Sequence, residues 1–142
     1  MTRRKSRESA FCIVFGISIS HLDVDETLAI VGETGEPETD EFAYKLIKSV
    51  YTHIDDIDNS FKPFLKGWSI ERLSKASLAI LRISCAQLFY WDEIANNTEV
   101  KDEKSENIII NEAVELAKKY GNDDDYMFVN GVLGSIVRKT YT

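Results

Sequence analysis

Apolar residues recur at three- and four-residue steps along nearly the whole chain, and no run of strict apolar and polar alternation bounded by turn signals interrupts them. That pattern predicts an all-α protein. The first helix is expected from about Lys5 to Ser20, with Phe11, Val14, Phe15 and Ser18 on one face and Ala10, Ile13 and Ile17 beside it. A short apolar helix, about Asp25 to Val31, leads into GETGEPETD, residues 32–40, whose Gly, Pro and acidic residues make a loop. Phe42, Leu46, Val50 and Ile54 at four-residue steps predict a helix over about 40–54, and Ile57, Phe61, Phe64 and Leu65 predict another, with Pro63 near its end. After Gly67, Ser69 reads as the N-cap of a long central helix in which Leu78, Leu81, Cys85 and Leu88 form an apolar repeat widened by Ile80 and Ile83.

Residues 95–107 are polar and loop-like. IIINEAVELAKKYG then predicts a helix with Ile109, Ala113, Leu116, Ala117 and Tyr120 inward and Gly121 as its stop. The NDDD that follows caps and charge-complements a last helix, about Asp124 to Lys139. The expected product is a bundle of about seven helices in two packed halves, approximately 1–66 and 67–142, meeting near Gly67.

A chain of 142 residues has the size of one domain with a real core. No apolar run approaches the roughly 20 residues that cross a bilayer. Ser9, Cys12, Gly16, Ser18, Ser20 and His21 break up the segment a signal peptide would need, so the expectation is a cytoplasmic protein with no membrane partner. Cys12 and Cys85, far apart and amid helix-patterned apolar residues, are expected as buried free thiols. Charge changes the picture more. The net charge is -7, yet Arg3, Arg4, Lys5 and Arg7 fall within five positions, and no further Lys or Arg appears until Lys45. Exposed charges are largely screened beyond about 8 Å at physiological salt, so a local basic arm can hold a polyanion on an acidic protein.

Catalytic machinery is hard to find. His21 and His53 lack metal-ligand spacing, no glycine-rich phosphate loop or nucleophile elbow is present, and Asp123, Asp124 and Asp125 do not follow the calcium-loop pattern. The expectation is a non-enzyme with no cofactor and no metal. Arg82, inside the apolar helix, reads as half of a buried pair with a carboxylate such as Glu112 that ties two helices together. Gly131, mid-helix in FVNGVLGSI, costs roughly 1 kcal/mol relative to Ala, which close packing of a neighbouring helix would offset. Phe128, beside Tyr126 and just before the stripe of Val129, Val132, Leu133 and Ile136, is either core or a stacking face for an unpaired base, worth on the order of 1–3 kcal/mol.

RRKSRESA at the start, LAILRIS in the central helix, INEAVELAKKYG and then FVNGVL resemble, in order and nearly end to end, the NusB family of bacterial transcription antitermination factors. The resemblance implies an all-helical bundle of two subdomains and a non-catalytic RNA-binding role. Its partners would be NusE, which is also a small-subunit ribosomal protein, single-stranded boxA-type RNA, and the elongation complex that reads through ribosomal RNA operons. It implies that Arg3, Arg4, Lys5 and Arg7 form the arm on RNA phosphates, that Phe15 stacks where relatives can have Tyr, and that Asp124, Met127 and Phe128 make a second RNA contact. Arg82, Glu112, Asn130 and Gly131 would be structural. Where many relatives read Tyr-Glu-Leu, this chain has Ala86, Gln87 and Leu88, beside a NusE surface for which Glu71, Arg72, Gln87 and Tyr90 are the candidates. Two other readings stay open: a helical interaction module that forms a homodimer, and an RNA-binding appendage of the kind fused to RNA methyltransferases.

Overall fold

A computed structural model describes residues 1–95 and 103–140. Eight α-helices lie among them: α1 Arg3–Ser20, α2 Val24–Thr34, α3 Glu41–Thr52, α4 Ile54–Phe61, α5 Lys75–Phe89, α6 Trp91–Ala95, α7 Glu106–Tyr120 and α8 Asp125–Thr140. Short 3₁₀ turns, Lys62–Phe64 and Ile70–Arg72, link α4 to α5. The described residues contain no strand. The all-α expectation therefore holds, with one helix more than the periodicity suggested. Residues 96–102 of the polar segment lie outside the described residues.

Local chemistry sets the boundaries. Thr2, Asp23, Asp40, Ser74 and Ser105 each accept a backbone N–H at the start of α1, α2, α3, α5 and α7, satisfying donors that a helix start leaves without intrahelical partners. The central helix begins five residues later than Ser69 suggested. Ser69 precedes only the 3₁₀ turn and makes no side-chain cap, whereas Leu73 is extended and Ser74 accepts from the Ser77 N–H. The extra helix comes from a break at Tyr90, whose φ of -129° and ψ of 31° end α5 and let Trp91 turn back into the core.

The core is one contiguous cluster to which α1, α3, α4, α5, α7 and α8 all contribute. The centre is α5: its positions from Ala76 to Leu88 are buried except for Leu78 and Arg82, and it packs against α1, α3, α4, α7 and α8. Arg82 does not reach Glu112. It donates two hydrogen bonds to Asp58 of α4, Nε to Oδ1 at 2.9 Å and Nη2 to Oδ2 at 2.8 Å. Glu112 instead faces Arg4. The rotation of α5 that seats Ile80, Ile83 and Gln87 inside aims Arg82 at α4, not at α7.

Gly131 is not explained by close packing, since a Cβ there would meet nothing within 4 Å. Gly121 is the glycine that space requires: a Cβ would lie 2.7 Å from the Ala117 carbonyl oxygen and 2.8 Å from Asp125 Oδ2. Cys85 is fully buried as expected, but Cys12 is only half-buried and Tyr120 is 40% exposed. No described helix is long and apolar enough to cross a membrane.

Candidate nucleic-acid interface

The basic cluster is part of α1, not a loose tail. Thr2 Oγ1 accepts the Lys5 N–H at 3.1 Å, so the helix starts at Arg3 and carries its cations on the first two turns. A helix start is the positive end of the macrodipole and favours acidic residues there; α1 has none in its first turn. Crowding cations there works against the helix by roughly 0.3–1 kcal/mol each. The same concentration of positive potential attracts an external anion.

The four cations have different environments. Lys5 is exposed. The Arg3 guanidinium lies over the Phe42 ring, 4.3 Å from its centroid. Arg4 is 71% exposed at its side chain and grips Glu112, with Nε 3.1 Å from Oε2 and Nη2 3.1 Å from Oε1; that carboxylate raises the Arg4 pKa. Arg7 departs from the arm. It is 6% exposed, and its Nε donates to Gln87 Oε1 at 2.6 Å, while Gln87 Nε2 donates to the Ile83 carbonyl at 3.0 Å. Arg7 therefore belongs to a buried polar link between α1 and α5. Gln87, 2% exposed, is likewise inside and not on an outer surface. Both carried a signal: Arg7 lies on the stripe of Ala10, Phe11 and Val14, and Gln87 on that of Ile80 and Ile83.

A seam runs along α1 and α7, which are parallel: Arg4 meets Glu112, Glu8 accepts from Lys119 Nζ at 2.7 Å, and Cys12 lies 3.9 Å from the Tyr120 hydroxyl. The Lys119 hydrogen bond lowers the Glu8 pKa, and Glu8 raises that of Lys119. Beyond Cys12 the seam becomes aromatic. Phe15 is half-buried and stacks on buried Phe11 at 5.6 Å between centroids, and Phe11 meets Tyr120 at 4.8 Å. Arg4 and Phe15 are eleven residues apart, about 16 Å along one helix. That spacing suits a few nucleotides, with phosphates at one end and a ring at the other.

The second predicted region opens α8. Asp124 and Met127 are exposed and Phe128 is half-buried. Phe128 packs against the core with one face while also lining a groove with Trp68, Arg72, Ser74, Ser77 and Asp124. Asp125 holds the groove's far wall in place: its Oδ2 accepts from Ser74 Oγ at 3.0 Å and from the Asn122 N–H at 2.9 Å. Arg72, expected on the partner side, faces this groove. Trp68, 55% exposed, was not singled out from the sequence, although a Trp just after a Gly in a polar turn is an available signal.

Of the remaining partner-side candidates, Glu71 is exposed, and Tyr90 is half-buried with its ring stacked on His53 at 3.8 Å. His53 in turn contacts Glu93 through Nε2 at 2.9 Å. Asn130 is exposed on α8. No group of three or more His, Cys, Asp or Glu among the described residues is arranged to hold a metal.

A family model described as the NusB family matches residues 4–138. "Transcription antitermination protein NusB" of an Exiguobacterium species is 38% identical over 141 residues, covering 98% of this chain and 99% of the relative. The protein of that name from Clostridium novyi is 37% identical, covering 97% and 99%. Among solved structures, T. maritima NusB superposes with a TM-score of 0.81 at 28% identity, covering 98% of this chain and 92% of that one. A crystal structure of antitermination factors NusB and NusE in complex with double-stranded RNA gives 0.76 at 27%, covering 98% and 99%. With a family match across almost every helix and close relatives spanning the full length, the chain belongs to the NusB family of transcription antitermination factors.

Proposed function

We propose that this chain binds boxA-type single-stranded RNA together with NusE in the bacterial cytoplasm, and so promotes read-through of ribosomal RNA operons by the elongation complex. The observation that carries the reading is the cationic edge of α1: Arg3, Arg4 and Lys5 sit on a rigid first turn whose own dipole adds to their field. The NusB relative solved with NusE and double-stranded RNA supports the choice of partners. The strand is held by phosphates at Arg3, Arg4 and Lys5, by stacking at Phe15, and by the region of Asp124, Met127 and Phe128. It thereby crosses both proposed halves of the bundle, 1–66 and 67–142. Phosphate contacts set hold and register, while bases reached by nearby side chains or by NusE set sequence choice. Glu71 and Tyr90 remain the candidates for the NusE side. The chemistry is non-catalytic, in keeping with the family.

The test is binding of labelled boxA-like and scrambled RNA, single- and double-stranded, with and without NusE, across a salt series. The reading expects boxA-like single strands to bind tightest with NusE present. Equal binding of all RNAs under every condition would reduce it to non-specific electrostatics. If Arg4→Ala with Lys5→Ala left binding unchanged while sedimentation showed a stable dimer, the homodimer reading would replace it.

A further inference from the structure

We propose that the RNA-binding surface continues past the start of α8, along the seam between α8 and the turn at 62–68, where a ridge of lysines holds phosphates of the strand that flanks the boxA-type segment. This deepens the RNA reading above and rests on it. Charge distribution is the first observation. Residues 59–70 and 126–140 carry four cations, Lys62, Lys66, Arg138 and Lys139, and no carboxylate, in a chain with 24 Asp and Glu. The fold brings these two segments together: the 3₁₀ turn Lys62–Phe64 packs against α8, and Lys139 Nζ lies 5.6 Å from the centre of the Phe64 ring. All four cations are exposed.

None of the ion pairs among the described residues involves Lys62, Lys66 or Lys139. Lys62 Nζ donates to a neutral acceptor, Asn59 Oδ1, at 3.3 Å, and Asp58, the carboxylate nearest to it in sequence, is taken by Arg82. Arg138 and Lys139 have an ordinary reason to stand where they do, since the last turn of a helix favours cations. Lys66 has no such reason. Its φ of 52° lies in the left-handed region that non-glycine residues uncommonly take; Gly67 follows at 87°, and the Trp68 N–H closes the turn on the Leu65 carbonyl at 3.1 Å. The backbone therefore fixes the direction in which the Lys66 side chain leaves the turn. A flexible strand fits this ridge better than an acidic protein face, because the ridge prolongs the RNA path proposed above. Phe128 and Lys139 are eleven residues apart on α8, about 16 Å, and Arg72 stands at the near end beside Asp124. Lysine ammoniums on long stems are point charges that hold phosphates without reading bases, so the ridge adds affinity and not sequence choice. With a net charge of -7 over the whole chain, a strand is repelled from most other directions.

The test compares a labelled boxA-like strand of about twelve nucleotides with the same strand lengthened by about ten uridines at its 5′ or its 3′ end, lengths within the range of single-strand sites. Each is titrated by anisotropy, with NusE present, across a salt series. The proteins are wild type, a triple variant Lys62→Gln, Lys66→Gln and Lys139→Gln, and a second triple variant with Arg at the same three positions, with circular dichroism confirming the fold. Wild type should bind one of the two lengthened strands about tenfold tighter than the short one at low salt, with a salt slope steeper by about 2, from about 0.7 per phosphate contact. The Gln variant should lose both differences while holding the short strand as wild type does, and the Arg variant should keep them. If neither extension adds affinity, or if the gain survives in the Gln variant, the ridge is overturned and the RNA reading stands. Failure of wild type to bind the short strand at low salt overturns both. Should the Gln variant lose affinity for NusE and not for the lengthened strand, the ridge belongs to a protein partner and the inference falls.

Discussion

Arg7→Ala separates the cations that build the fold from those that can meet a phosphate. In the native protein Arg7 is almost wholly enclosed, donates to Gln87 Oε1 at 2.6 Å and lies 5.6 Å from the centre of the Phe42 ring. A hydrogen bond involving a charged group contributes about 1.5–3 kcal/mol and a cation over a ring about 0.5–2 kcal/mol. Truncation should therefore cost about 2–4 kcal/mol, which in a domain of this size lowers the melting temperature on the order of 10 °C. The RNA salt slope should not move. With Arg3, Arg4 and Lys5 as the phosphate-facing set, log affinity should fall with log salt at about -2, taking about 0.7 per contact on a single strand. Lys5→Ala should bring that slope to about -1.4 with no loss of stability. Thermal denaturation and salt-series titration on the same preparations decide it. If Arg7→Ala melted like wild type and made the slope shallower, the assignment of Arg7 to the interior link would be wrong.

Other consequences are equally open to measurement. Arg82→Ala leaves Asp58 without its partner and should cost about 3–5 kcal/mol in urea unfolding, whereas Arg82→Met combined with Asp58→Leu should recover most of that. Gly121→Ala should destabilise by about 1–3 kcal/mol, because the new methyl meets the Ala117 carbonyl, and a melt equal to wild type would contradict the tight approach. Burial pushes the Cys85 thiol up to about 12 from an ordinary value of 9.0, and the half-buried Tyr51 hydroxyl up to about 12 from 10.0. Between about pH 9 and 12 the unfolded chain sheds a Cys85 proton that the native state keeps, so stability falls as pH rises, by about 1 kcal/mol per pH unit, and is unaffected below about pH 8. Cys85→Ala should shift the alkaline unfolding midpoint upward when followed by circular dichroism.

Helix class, the buried stripes of α1, α3, α5, α7 and α8, and the basic start of the chain were legible because each is a local pattern. Polar pairs across the bundle were not. Arg82 with Asp58 and Arg7 with Gln87 are joined by the packing of helices 24 and 80 positions apart, and only the folded arrangement reveals which carboxylate or amide lies opposite. Periodicity did place Arg7 and Gln87 on apolar stripes, but residue type outweighed position in reading them as surface groups. The choice between Ser69 and Ser74 as N-cap turned on the extended backbone at Leu73, for which the sequence has no marker. Trp68 escaped notice because a single aromatic in a turn has no period. The groove it helps line is assembled from two segments, residues 68–77 and 122–128, that lie far apart in the chain.

The Arg4 grip on Glu112 has a consequence for selectivity. A polyanion arriving at α1 meets a guanidinium whose Nε and Nη2 already donate to a carboxylate, which leaves the Nη1 side for a phosphate. A phosphate seated on that side would share Arg4 with Glu112, whose negative charge offsets part of the attraction. For a pair this exposed the offset is small, and a strand anchored elsewhere along the molecule makes it up through the high local concentration of phosphate it brings to the same spot. The ion pair thus tempers the pull of α1 on any lone anion and leaves an anchored strand the least affected.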